Sequence, residues 1–221
     1  MPKRPRSIKT VANREIRVAK KSAAKEAIGV IDHNSDTYIL TFGQFSLIDA
    51  LCVILDQTGP ADVTISTWTA AGAHLERASD LIESADIKSL RLVIDRSFES
   101  RQSGYCAHMR RLFGQDCIRA IRSHSKFMLI RSKTHDVVVR TSMNLNENPR
   151  LENIEISEDL VLADFFQNVT DEIFAEVPDS KNQSVLPELP GVDETHKFKL
   201  VRAKPIARRS VNEPRTTHTV R

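Results

Sequence analysis

Between His124 and Glu155 the chain reads HSKFMLIRSKTHDVVVRTSMNLNENPRLENIE, and this stretch concentrates the side chains able to do chemistry. His124 supplies a nucleophile or base, Lys126 a cation, Ser142 a hydroxyl, Asn144 an amide and Glu152 a carboxylate. Such a set can hold and attack a phosphodiester, so a phosphoryl-transfer site is the leading expectation. His124 and Lys126 fall on a strand-like run, and Ser142 and Asn144 on the next. Residues i and i+2 of a strand share a face, so each pair projects together while Ser125 and Met143 turn away. Four polar groups on one sheet face amid apolar runs are costly to keep unless they bind something.

The elements that must position these residues follow from periodicity. Tyr38–Thr41 reads as a short strand ended by Gly43. Phe45, Leu47, Ile48, Leu51, Cys52, Ile54 and Leu55 recur at helical spacing until Thr58-Gly59-Pro60 stops the helix. Residues 62–67 are a β-branched strand, 72–84 a helix, 90–94 a third strand and 100–113 a basic helix. Strands alternating with helices imply right-handed crossovers and a mainly parallel sheet. Further on, Ile118–Ile121, Phe127–Ile130 and Val137–Arg140 are strands with short links, Ser132–His135 being a hairpin connection. Ile154 and Ile156 make one more short strand, and residues 160–177 a last helix with Leu162, Phe165, Phe166, Val169, Ile173 and Phe174 turned to the core. Trp68 packs into the core or lines a cleft, and core packing is preferred. His74, His108 and His135 read as surface or packing residues.

Charge divides the 221 residues unevenly. Residues 1–25 carry nine Lys/Arg against Glu15 alone, and residues 177–221 carry nine basic and five acidic residues. The span 26–176 is therefore net acidic by nine charges, within a chain of net charge +3. The expected organisation is a basic, disordered arm over 1–26, a globular domain over 27–177, and a Pro-containing basic tail over 178–221. Basic ends on an acidic body suit a polyanion, nucleic acid above all. Cys52, Cys106 and Cys117 show no paired spacing, as in a reducing compartment. No stretch approaches the roughly 20 apolar residues of a membrane span, and no secretory leader is visible. A soluble cytoplasmic protein with no membrane partner is expected.

The arrangement of His124, Lys126, Ser142 and Asn144 resembles the phospholipase D superfamily, whose signature is H-x-K-x(4)-D followed by a G-S-x-N-like element. HSKFMLI is similar to the branch of bacterial nucleases that carry a single copy of that signature, in which a Glu follows the Asn by about ten residues. Glu152 is the best match to it, with Glu155 and Asp159 as alternatives. The likeness covers about 28–177 and neither tail. It departs at two positions, where Arg131 stands for the signature's Asp and Thr141 for its Gly. The resemblance implies a phospholipase D-like α/β fold: a mixed, mainly parallel sheet flanked by helices. It also implies a phosphohistidine intermediate, with no metal and no cofactor. Lys126 and Asn144 would hold non-bridging oxygens, Ser142 would bind substrate or shape the pocket, and Glu152 would hydrogen-bond the imidazole. Single-signature members complete their site by dimerising, so His124 of one copy would be nucleophile and His124 of the other the acid/base.

Three functions follow from these expectations. The first is a homodimeric, metal-independent nuclease, with DNA placed ahead of RNA. The second is a nucleic-acid-binding protein on the same fold that has lost turnover, motivated by Arg131 and Thr141. The third, a lipid phosphodiesterase, has the least in its favour.

Overall fold

The computed structural model describes residues 13–19, 23–68, 80, 81, 84, 86–101, 103–114, 116–145 and 149–176. The strands are β1 (Asn13–Ala19), β2 (Ser35–Thr41), β3 (Ala61–Thr67), β4 (Ile87–Asp95), β5 (Ile118–Ile121), β6 (Phe127–Arg131), β7 (Asp136–Thr141) and β8 (Glu152–Glu158). The helices are α1 (Ala24–Ile28), α2 (Leu47–Thr58), α3 (Arg96–Arg101), α4 (Ser103–Phe113) and α5 (Leu160–Glu176). Among the described residues, eight strands form one sheet in the order β1-β2-β8-β7-β6-β3-β4-β5. No described helix is long and apolar enough to cross a membrane.

The parallel character expected from the alternating half holds for strand direction. Pairs β1–β2, β3–β4 and β4–β5 are parallel, and only β6 and β8 run against the other six strands. Four neighbouring pairs are nonetheless antiparallel, because β2 and β3 are not neighbours. The connection through α2 carries the chain past three sheet positions, which β6, β7 and β8 fill. A four-residue link between β6 and β7 is too short for a crossover, so that pair must be antiparallel. Ser132 N donates to His135 O at 3.0 Å to close the link.

Central position explains the composition of β6 and β7. Met128, Ile130, Val137 and Val139 face the main core, while Leu129 and Val138 meet Ala163, Leu162 and Phe166 of α5 on the other face. Strands buried on both faces show continuous apolar runs in place of alternation. Helix α2 begins at a capping box in which Ser46 Oγ accepts from Asp49 N and Asp49 accepts from Ser46 N. Its buried stripe of Leu47, Ile48, Leu51, Ile54 and Leu55 has the expected spacing.

Two expectations need correction. Residues 13–19, assigned to a disordered arm, form an edge strand of the sheet. Polar pairing makes this possible despite few apolar residues: Arg14 reaches buried Asp36 at 2.7 Å, and Arg17 Nη1 donates to the carbonyls of Ala27 and Ile28 at 3.2 and 2.5 Å. The basic helix expected over 100–113 is two helices, α3 and α4. The helix expected over 72–84 lies mostly outside the described residues, as do residues 1–12 and the tail from 177.

Candidate active site

His124 and Lys126 do not lie on a strand but in the loop that leads into β6, and Ser142 and Asn144 follow the end of β7. Glu152 is the first residue of β8. Because β6 and β8 run against the other strands, all five residues gather at one end of the sheet, where β3, β4, β5 and β7 finish. Crevices beyond the carboxyl ends of strands are where open α/β sheets bind ligands.

Neighbouring strand ends hold these loops. Asp95, closing β4, accepts from Ser123 N at 3.0 Å and from Ser97 N at 2.8 Å, joining the His124 loop to the start of α3. Ser66 Oγ on β3 donates to Ser125 O at 2.9 Å. Thr67 Oγ1 accepts from Leu145 N at 3.3 Å, and Thr141 N donates to Lys126 O at 3.2 Å, tying the two loops together. Met143 and Leu145 are buried on either side of Asn144. Buried neighbours and backbone bonds fix side chains at ends where no ladder does.

Within this frame, Lys126 Nζ lies 3.3 Å from His124 Nδ1 and 3.3 Å from His124 O. Ser142 Oγ donates to Glu152 Oε2 and accepts from Asn153 N at 3.0 Å. The Asn144 side-chain oxygen is buried with no hydrogen-bond partner among the described residues. A buried amide oxygen left unpaired is costly, so Asn144 holds unused bonding capacity beside the histidine loop. Burial pushes the Lys126 ammonium below the ordinary lysine value, and the nearby Glu152 carboxylate pulls it partly back. Among the described residues no group of three His, Cys, Asp or Glu is arranged to hold a metal.

The geometry separates the residues proposed from sequence. Glu152 is the carboxylate at this site: Glu155 pairs with Arg140 at 3.0 Å, and Asp159 caps α5 at the far end of β8 by accepting from Leu162 N at 2.9 Å. Glu152 does not meet the imidazole, however. The Ser142 hydroxyl stands at its carboxylate, and Lys126 occupies the Nδ1 side of His124. Arg131 lies at the opposite end of β6, where it pairs with Asp136 and Asp164, each at 2.8 Å. Arg131 therefore ties β6 to β7 and α5, away from the candidate site.

No protein-family model matches the chain, and no curated protein matches it. Solved structures do. The chain is similar to a phospholipase D family member. That protein, Nuc from Salmonella typhimurium, is 13% identical at a TM-score of 0.47, over 67% of this chain and 99% of its own. NucT from Helicobacter pylori is 14% identical at 0.48, over 65% of this chain and 98% of its own. A polyphosphate kinase from Porphyromonas gingivalis is 14% identical at 0.45, over 68% of this chain and 27% of its own.

Sequence reasoning missed the residues that position the others. Ser66, Thr67 and Asp95 act from strand ends distant in sequence, and no local signal marks them. Of the two places expected for Trp68, core or cleft, the less preferred cleft fits better: its ring centroid lies 5.5 Å from that of His124 with the planes tilted by 47°.

Proposed function

We propose that this protein is a metal-independent phosphodiesterase acting on nucleic acid, with an active site completed by a second copy of the chain. The observation that carries the reading is the Lys126–His124 contact at 3.3 Å, set beside Ser142, Asn144 and Glu152 at one sheet end. A cation adjoining an imidazole can hold a phosphate oxygen while the ring acts on phosphorus.

The chemistry balances without a cofactor. Nε2 of His124 attacks phosphorus, and the P–O bond breaks with its electron pair going to the leaving oxygen. His124 of the second copy protonates that oxygen. The same imidazole then takes a proton from water, whose oxygen displaces Nε2 and frees the phosphate. Attack at Nε2 requires the ring proton on Nδ1, whereas an ammonium facing Nδ1 favours the opposite tautomer. Lys126 therefore leaves Nδ1 for the phosphate oxygens when substrate enters. The Asn144 side-chain NH2 donates to the same oxygens, its unpaired oxygen being an acceptor, and Ser142 steadies Glu152.

The deciding experiment incubates the full-length protein with single- and double-stranded DNA and RNA in EDTA, beside His124→Ala. Cleavage that survives EDTA and disappears in the variant supports the reading. Salt-sensitive binding by both proteins, with cleavage by neither, supports a binding protein that has lost turnover. The bond from Ser142 to Glu152, which leaves the imidazole without a carboxylate, favours that second reading.

Two expected results bear on substrate binding. Because the Lys126 pKa is lowered, its charge is lost as pH rises through a value below the ordinary 10.5. Oligonucleotide affinity should fall on the alkaline side before an ordinary lysine would titrate, and Lys126→Arg should move that fall to higher pH, since Arg stays charged well above the lysine range. An alkaline limb that does not move excludes Lys126 as the phosphate cation. Separately, deletion of residues 1–12 removes Lys3, Arg4, Arg6 and Lys9 while keeping β1. If those cations reach phosphates, the slope of log affinity against log salt should drop by about 3, at roughly 0.7–0.9 per contact. An unchanged slope excludes the arm from binding.

A further inference from the structure

Ser66 and Thr67, the last two residues of β3, and Trp68 just beyond them each touch the candidate site by a different kind of contact. Ser66 Oγ holds Ser125 O at 2.9 Å, Thr67 Oγ1 holds Leu145 N at 3.3 Å, and the Trp68 ring lies against His124 at 5.5 Å between centroids. Ser66 and Thr67 are buried, whereas Trp68 is only half-buried. The core beneath β3 is already filled by Val63 and Ile65. An indole placed where the strand leaves the sheet, beside an exposed histidine, presents apolar surface at the mouth of a polar site.

We propose that Trp68 is a stacking platform for an unpaired base adjoining the phosphate that His124 and Lys126 engage. It would select single-stranded nucleic acid, or a base drawn out of a duplex. This rests on the nucleic-acid reading above and adds to it a preference that no charged group supplies. A base and its own phosphate are separated by one sugar, a span comparable to the distance between the two rings. A base lying on the indole thus brings its phosphate to the imidazole. Paired bases stack on one another and offer no free face, so a duplex cannot use the platform without opening. Stacking on an aromatic ring tolerates any base, so it sets strandedness but not sequence.

The chain contains one tryptophan, so its intrinsic fluorescence reports Trp68 alone. The probes are phosphorothioate (dT)10, which resists cleavage, a duplex of equal length, and inorganic phosphate. Fluorescence is read together with the anisotropy of labelled oligonucleotide. The single strand should quench the tryptophan to saturation at its binding affinity, whereas duplex and phosphate should not. Trp68→Leu should weaken (dT)10 binding by about tenfold or more, and Trp68→Phe should recover part of the loss, because it keeps a ring face.

A ring that merely supports His124 gives a different pattern. Wild type would then bind (dT)10 no better than the same oligonucleotide made abasic at every position, and Trp68→Leu would leave both affinities alike. That equality overturns the platform, as does saturable binding of (dT)10 without quenching. Should Trp68→Leu fail to fold, the comparison of intact with abasic strand on wild type decides the matter alone. None of these readings needs turnover, so an inactive protein that quenches and discriminates keeps the platform while losing the nuclease. Absence of any oligonucleotide binding ends both.

Discussion

Substitution of His124→Ala is expected to abolish phosphodiester cleavage, by about 10⁴-fold or more, while the fold and nucleic-acid affinity persist. The size follows from the double duty that the proposed mechanism gives this residue. In a site shared by two copies, one substitution removes both the nucleophile and the acid that protonates the leaving oxygen, and groups acting as a unit lose nearly the whole rate when one is taken away. The side chain is exposed, so its truncation leaves no cavity and should shift thermal stability little. Mixing variant with wild type separates a shared site from independent ones. After subunits exchange in an equal mixture, a shared site leaves activity only in wild-type pairs, about one quarter of the all-wild-type value under random association. Independent sites would leave about one half. Activity at one half, or a protein that sediments as a monomer while cleaving, removes the second copy from the mechanism.

Arg131→Asp, which places at that position the residue of the phospholipase D signature, is expected to destabilise the protein and not to improve it. The guanidinium bridges Asp136 and Asp164 at 2.8 Å each, joining the β6–β7 hairpin to α5. The substitution removes both bonds and brings a third carboxylate against two others. Exposed pairs contribute only about 0–1 kcal/mol each. Added repulsion among carboxylates that remain partly shielded brings the expected loss to about 2–3 kcal/mol. For a domain near 150 residues this is a fall in Tm of about 5–10 °C. Arg131→Ala, which removes attraction without adding repulsion, should lose about half as much. Calorimetry at neutral pH measures both. Equal stability of Arg131→Asp and the native chain would show that the two ion pairs do not join these elements.

The helix α2, the strands β2 to β8 and most of the core face of α5, though not Phe165, Ala163 or Thr170, were legible because each rests on local signals. Periodic apolar residues and short polar links suffice to place them. β1 was not legible, because its contacts are polar and made to partners far along the chain. Arg14 pairs with Asp36, and Arg17 with the end of α1. Two of the nine cations that suggested a free arm, Arg14 and Arg17, are the side chains that anchor the edge strand. Sheet order was equally out of reach. Strand direction follows from connection length, but the insertion of β6, β7 and β8 between β2 and β3 depends on which apolar faces fit together.

At the site, His124, Lys126, Ser142, Asn144 and Glu152 could be proposed from residue type and spacing, since chemistry needs those groups wherever they lie. Chain order also suffices to make Phe127–Ile130 and Val137–Val139 two adjoining buried strands, which brings the flanking polar residues to one end. Tertiary structure alone decides what each side chain meets there. It gives Ser142 to Glu152, Lys126 to His124 Nδ1 and Trp68 to the His124 ring, and it sets Arg131 at the remote end of β6. The physical reason is one of range. Propensity and periodicity act over a few residues, whereas Ser66 and Ser125, or Thr67 and Leu145, meet only because antiparallel pairing of β3 with β6 folds distant segments onto the same sheet end.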